Sequence, residues 1–568
     1  MTLALSIANG QWLDAFHARH GRAPRVLHIG NIANNAFNNA RLMNEAGLDC
    51  DVICYDYYHV MGCPEWEDAD FTGGIDDDFR PNWTRVNLRD YVRPRWFAQG
   101  PMELCLRYLT ARRSGHTDEQ WLWTGLLVES RCLVPSWLWR VDPRRLVYSE
   151  PVRSKWQLLT GDATSAIGRM VKYVKKKTVG ESKLALLCAI LPVLLLARAI
   201  ARPVDTIFRW CRSPSLFSFS SARWSVSFPA QLRLLDQWRN EFAGRADQMV
   251  ADDIEPYLYR NEEWQRFLRN YDYVLGYSTD AIFPLICGVP YFAFEHGTIR
   301  EIPYHATSQG RLTALAYRLA QHVFVTNFDC VGSAENLAPG RFSIINHPYD
   351  EDHGLTVSGW EEIRDGLFSE LDSDFLFFHP TRQDWVEGTG YADKSNDVFL
   401  RAFGALRSEG LKVGLICCAW GSNVQQAKML LDELGCTENV KWVAPMAITP
   451  FERMCLATDI VVDQFKLGAF GGVTFKAMAV GTPILTYLDE QRLLRQYSEC
   501  PPVLNCRTTD EIVAKARNLI FSGDELARIG NASRAWMKKF HAKEMTVNAQ
   551  VDQFRSHLPV SEACASVQ

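Results

Sequence analysis

Apolar residues return along this chain in two alternating patterns. Short runs with nearly every position apolar give way to stretches in which apolar residues recur every three or four positions. The first pattern marks strands buried on both faces, and the second marks amphipathic helices. RVLHIGNIANNAFNNARLMNEAGLDCDVICYD (25–56) shows one complete cycle. RVLHI reads as a strand, GNIANN as a turn, FNNARLMNEAG as a helix closed by Gly47, and DVICY as the next strand. Strand, polar turn, helix, strand opens a Rossmann-like parallel sheet.

From 57 to 235 the pattern fades in a stretch rich in Trp, Arg and Pro. It resumes at YDYVLGYS (271–278), continues through VPYFAFEHGTIREIPY (289–304) and HVFVTNFD (322–329), and reaches FSIINHPYD (342–350). A second α/β unit begins with DFLFFHPTRQDW (374–385). Its further strands are VGLICCAW (413–420), VKWVAP (440–445), IVVDQF (460–465) and PILTYLD (483–489). This order predicts two doubly wound domains, at 1–355 and 356–540. A mostly helical insertion at about 57–270 interrupts the first, and 541–568 forms a C-terminal helix and tail. At 568 residues the chain exceeds one ordinary core, as two domains require.

Composition narrows the picture. Hydrophobic residues at 47% and charged residues at 22% fit a folded protein, and a net charge of −5 argues against a general nucleic-acid binder. None of the 16 cysteines lies in paired CxxC sets with zinc spacing. MTLALSIANGQWLDAF has no basic n-region and no clear cleavage site. Scattered thiols without a signal segment suggest the reducing cytosol, so the sequons at 82 and 531 read as chance matches.

One stretch bears on membranes. Within 171–210, a lysine cluster precedes an apolar run from Leu184 to Ala197, which Pro192 interrupts and Arg198 and Arg202 follow. The run falls short of the roughly 20 residues that span a bilayer. Three readings stand, a buried helical hairpin, a monotopic anchor with Trp210 at the interface, and, last, a transmembrane helix. The anchor would make a cytoplasmic protein peripheral on the inner face of a membrane.

Three clusters carry candidate chemistry. GAFGGVTFKAMAVGTPI (468–484) is a glycine-rich loop opening a helix near Val473. Free N–H groups and the positive end of the helix dipole suit a diphosphate there. In HPTRQDWVEGTGYADKSNDVFLRAF (379–403), Arg382 follows a strand and Lys394 precedes a helix near Asn396. Two cations on one βα connection can neutralise a diphosphate leaving group. In FEHGTIRE (294–301), His296 and Arg300 follow a buried strand, flanked by Glu295 and Glu301. The acidic run at 76–78 sits in a poorly patterned loop and reads as solvated, so no metal and no cofactor is expected.

Together these clusters resemble the GT-B retaining glycosyltransferases of the "glycosyl transferases group 1" family, over 25–56 and about 271–540. HGTIRE resembles the family's HGxDxR-type segment, whose histidine lies near the transferred sugar, which implies that role for His296. HPTRQDW…K resembles the Arg and Lys pair that binds the donor diphosphate, implying Arg382 and Lys394 at a longer spacing. FGGVTFKAMAVGTP resembles FGxxxxEAMAxGxP, implying that Gly471, Gly472, Val473 and Thr474 hold phosphates. GNIANN resembles the acceptor-side loop, implying Gly30, Asn31 and Asn34. The resemblance implies a nucleotide-diphosphate sugar as donor, and a glycan or lipid-linked acceptor in surface polysaccharide synthesis.

The family often carries two glutamates, the first on the donor sugar and the second on its ribose. Here Gly468 and Lys476 stand in those positions. An ammonium donates and cannot accept from a ribose hydroxyl, so Asp463 or Gln464 becomes the candidate ribose contact. The missing glutamates also admit a non-catalytic GT-B scaffold that binds glycan or a partner enzyme. A sugar-nucleotide epimerase would need paired acids or bases near the sugar, and no clear set is present.

Overall fold

The structure is a computed structural model. It describes residues 3–71, 75, 77–117, 120, 123, 124, 127, 222–258, 260–295, 297–386, 393–557, 559 and 560, with backbone alone over 222–228. His296 and the segment 171–210 lie outside the described residues. The described residues up to 127 and from 230 onward belong to one compact unit. Among the described residues, no helix is long and apolar enough to cross a membrane.

This unit holds two sheets. The first sheet comprises β1 (Arg25–Ile29), β2 (Asp49–Tyr55), β3 (Phe97–Gly100), β4 (Tyr273–Tyr277), β5 (Phe292–Glu295), β6 (Val323–Val325) and β7 (Phe342–Ile344). Its spatial order is β3-β2-β1-β4-β5-β6-β7, and every pairing is parallel. The second comprises β8 (Phe375–His379), β9 (Val413–Cys418), β10 (Val440–Val443), β11 (Ile460–Val462), β12 (Ile484–Thr486) and β13 (Leu504–Asn505). Its order is β10-β9-β8-β11-β12-β13, again all parallel. Both are α/β doubly wound sheets, and the two Rossmann-like lobes make the GT-B arrangement.

Burial on both faces explains why these strands read as unbroken apolar runs. Successive residues serve opposite layers. Leu27 and Ile29 join the core on one face of the first sheet, while Val26 and Val52 join the other. In the second sheet, Phe375 and Phe377 face one layer, and Leu376 and Phe378 face the opposite one.

The stretch at 57–113 contributes more to the first lobe than its pattern announces. It contains β3, which pairs with β2, and the helix Met102–Arg113. The segment that includes Val60, Trp66, Ala69 and Phe71 makes a small core of its own with Ala447 of the second lobe, where Arg453 Nη2 pairs with Asp70 at 2.9 Å.

The chain crosses between lobes twice. After β7 it enters the second lobe. After the helix Gly523–Phe540 it returns, and the helix Lys543–Arg555 buries Val547, Val551 and Phe554 against the first sheet. The Phe554 ring stacks on Tyr273 at 4.8 Å. The crossings are tied together, for Asn346 Nδ2 donates to the carbonyl of Phe540 at 2.8 Å and Lys543 Nζ to Asp350 at 2.6 Å. Between them, the Phe475 ring lies stacked on His347 and His541, at 5.4 and 5.3 Å.

Candidate functional site

In an open α/β sheet, ligands bind at the carboxyl ends of the strands where the winding direction reverses. In the second sheet that point lies between β8 and β11. The loop after β8 carries Arg382, and the loop after β11 carries the glycines.

The loop after β8 is laced to the one after β9. Gln383 N donates to the carbonyl of Trp420 at 2.9 Å, Trp420 Nε1 to that of Pro380 at 2.7 Å, and Ser422 N to Asp384 Oδ1 at 2.7 Å. This bracing leaves the Arg382 side chain 43% exposed, 3.4 Å from Asp384 and 5.9 Å from the centre of the Trp420 ring. Lys394 is anchored on the same scaffold. Its N–H donates to the carbonyl of Asp384 at 2.6 Å, and its Nζ donates to Gln464 Oε1 at 3.1 Å. Burial depresses the Lys394 pKa below the ordinary lysine value. Asp463 opposes that shift, and the charges of Arg382 and of Arg300 from the first lobe add to it.

Beneath the glycine loop lies Asp463, 2% exposed. It accepts from Thr474 Oγ1 at 2.6 Å and from Thr381 Oγ1 at 3.0 Å. Burial raises its pKa, and those hydroxyls hold the rise back. A Cβ at Gly471 would stand 2.3 Å from Asp463 Oδ2, so only glycine allows this approach. A Cβ at Gly472 would meet nothing within 4 Å. Among the described residues, no side chain caps the start of the helix Gly472–Val480. Val473 stands half-buried on its first turn. Asp463, read as a ribose contact from the sequence, supports the loop from below.

Lys476 stands apart from this group. Its Nζ lies 5.8 Å from the centre of the Tyr349 ring and 5.9 Å from that of Phe475. Glu452, a nearby buried carboxylate, is already engaged by the Tyr349 hydroxyl and by His353 Nδ1 at 2.6 Å. Burial works against an imidazolium at His353, but the bond to Glu452 outweighs it and raises the pKa. A raised folded pKa stabilises the fold fully below the unfolded value of about 6.5 and loses that contribution as pH climbs through the folded value. The stability gap between the wild type and His353→Gln is therefore expected to be widest near about pH 6 and to narrow toward about pH 8. Urea unfolding at several pH values checks this, and a gap that widens with pH would contradict the assignment.

The first-lobe candidates divide. Arg300 is paired to Asp329, with Nη2 2.9 Å from Oδ1 and Nε bonded to Oδ2. Burial works against its charge, and the Asp329 bonds outweigh that, so its pKa lies above the usual value. Glu295, wholly buried, accepts from the Tyr317 hydroxyl and from Gly297 N, which fixes the backbone on either side of residue 296. Gly30, at φ +89°, lies so close to Asp280 that a Cβ would stand 2.1 Å from Oδ2. Asn31 and Asn34 are buried. The Asn31 amide donates to Asn34 Oδ1 and to the carbonyl of Gly62, each at 2.9 Å, and that of Asn34 donates to the carbonyl of Cys63 at 3.0 Å. The side chains of both asparagines thus bind their own chain, and a ligand at this loop would meet backbone.

A cavity between the lobes is lined by Thr326 and Asn327 after β6, by Asn346 and His541 from the crossings, and by Ala469 and Phe470 of the glycine loop. Among the described residues, no group of histidine, cysteine and carboxylate side chains could hold a metal ion. Thr381 and Asp384 are supporting residues that sequence reasoning passed over. Their positions on either side of Arg382 and Gln383 were the available signal.

No protein-family profile matches the chain, and no curated protein does. Solved structures do resemble it. HepE from Anabaena in complex with UDP and glucose shares 16% identity, over 55% of this chain and 85% of that one, with a TM-score of 0.43. A glycosyltransferase from Rickettsia africae shares 11%, over 55% and 83%, with a TM-score of 0.41. Sucrose-phosphate synthase from Thermosynechococcus elongatus shares 12%, over 54% and 79%, with a TM-score of 0.38. Likeness at this level leaves the functional argument to the residues of the site.

Proposed function

We propose that this chain is a glycosyltransferase that moves a sugar from a nucleotide-diphosphate donor to a glycan or lipid-linked acceptor. The observation that carries the reading is the electrostatics around Lys394. A half-buried ammonium sits within reach of two arginine charges, which add to the effect of burial in making it harder to keep charged. A dianionic diphosphate relieves that repulsion, and the uncapped start of the helix Gly472–Val480 supplies further donors for it. Charge that builds on the leaving diphosphate is met by the same groups, which is where they lower the barrier. The acceptor comes from the first lobe, and closure of the lobes brings it to the donor. Retention of configuration, transfer without a metal, a hexose as the transferred sugar and a role in surface polysaccharide synthesis complete the reading. A cytoplasmic location and peripheral membrane contact through 171–210 go with a lipid-linked acceptor.

A scaffold without transfer activity is the second reading. It is favoured by the position of Lys476 over two aromatic rings and by the space beside Gly468, which other side chains fill. Thermal unfolding with UDP-, GDP-, ADP-, CMP- and dTDP-linked sugars and their free nucleotides separates the two. A ligand at 100 times its Kd adds about 2.7 kcal/mol of stability. One nucleotide class is expected to raise the Tm. No shift with any of them, in folded protein, would favour the scaffold.

A further inference from the structure

We propose that Asp489 binds a hydroxyl of the transferred sugar, taking the place of the glutamate that the resemblance puts at position 468. This rests on the donor-site reading above. Gly468 adopts φ +67°, and a Cβ there would stand 3.0 Å from both Asp489 Cβ and Tyr487 Cε1. A side chain at 468 would press on both residues and strain the left-handed backbone. The carboxylate that arrives beside Gly468 is instead brought by the loop after β12.

That loop is fastened to the donor site by an unbroken series of bonds. Asp489 N donates to the carbonyl of Gly468 at 2.9 Å, and Tyr487 N to that of Gln464 at 2.8 Å. The Gln464 side chain accepts from Lys394 Nζ and donates to the carbonyl of Ala469 at 2.8 Å. Asp489 is thus held in register with the cations proposed to take the diphosphate. Of the neighbouring carboxylates, the exposed Glu490 accepts from Asn505 Nδ2 at 2.9 Å and the others are withdrawn. Asp384 and Asp463 are buried under their own hydrogen bonds, and Asp393 is paired with Lys466. The Asp489 side chain is 30% exposed. Its partner is Arg492, 3.1 Å away and more than half exposed, a surface pair that a sugar hydroxyl can displace. An ionised carboxylate is acceptor-only, which suits a hydroxyl-rich ligand.

Asp489 also accepts from Arg492 N and so caps a short helix. Asparagine caps as well as aspartate, so Asp489→Asn keeps that role and removes the charge, with Asp489→Ala as the harsher variant. The probes are the nucleotide that binds the wild type and its glucose, galactose and N-acetylglucosamine esters, titrated calorimetrically. The expected result is free-nucleotide binding unchanged within about twofold and a loss of about tenfold in affinity for the ester that binds best, the scale of one hydrogen bond to a charged group. Equal losses for nucleotide and ester, no loss for either, or a wild type that binds every ester no better than the free nucleotide would overturn the proposal while leaving the donor site standing. A wild type that binds no nucleotide would remove both.

Discussion

Arg382→Ala and Lys394→Ala are each expected to lower sugar transfer by about 10²-fold or more, the usual effect of removing a group that stabilises developing charge. The two substitutions should differ in their other consequences. Arg382 is nearly half exposed and its contact with Asp384 is long, so its loss should leave the unfolding free energy within about 1 kcal/mol of wild type. Arg382→Lys should recover only part of the rate, because an ammonium lacks the planar fork that meets a phosphate with two bonds. Lys394 is half-buried, and two arginine charges add to the burial that lowers its pKa. Its replacement by alanine should cost little stability or even raise it, as happens where a site holds charge for function at the expense of the fold. The lowered Lys394 pKa also fixes the direction of a pH effect. Turnover should fall on the alkaline side at a lower pH than an ordinary lysine would give, and Lys394→Arg should move that limb upward. Steady-state kinetics and thermal unfolding of the purified variants check both parts. Near-normal turnover in both alanine variants would remove the mechanism.

Much of the second lobe was legible in the sequence. Its strands are buried on both faces, so they read as apolar runs, and glycines mark the turn into the helix Gly472–Val480. What sequence could not reveal was occupancy. Gly468 and Lys476 are visible as departures, yet the residues that fill the space beside Gly468 come from the loop after β12, about twenty positions on. Asn31 and Asn34 show the same limit from the other side. An asparagine in a turn after a strand can face a ligand or its own chain, and here both amides are satisfied internally. Arg300 read as a second cation beside His296 on a loop with Glu295 and Glu301, and its partner Asp329 lies beyond the next helix and strand. β3 was missed because FAQG holds no β-branched residue, so that only pairing with β2 makes it a strand.

The helix that follows β3 leads to the largest expected loss of stability. Arg113 is 2% exposed, with Nε 2.5 Å from Asp51 Oδ2, and it also pairs with Asp49. Asp51 is wholly buried. It takes Arg112 Nη1 at 2.7 Å and the Tyr271 hydroxyl at 2.8 Å. Burial raises the Asp51 pKa, while Arg113 and then Arg112 oppose the rise. Substituting Arg113→Met keeps most of the volume but takes one of two arginines from the buried Asp51 and a partner from Asp49, so a loss of about 3 kcal/mol, the lower end for a broken buried pair, is expected by urea unfolding. Adding Asp51→Asn should restore part of it, since the penalty belongs to the charge left behind. The sign with pH follows. A buried acid whose folded pKa lies above its unfolded value favours the fold when protonated, so the Arg113→Met deficit should shrink as pH falls and grow as pH rises. This cluster joins β2 to the end of the helix Met102–Arg113, inside the stretch that reads as an insertion. A deficit below about 1 kcal/mol, the range of a surface pair, would mean that this stretch is an appendage. A deficit of the expected size would make residues 97–113 part of the first lobe's core, fixed to its sheet through β2.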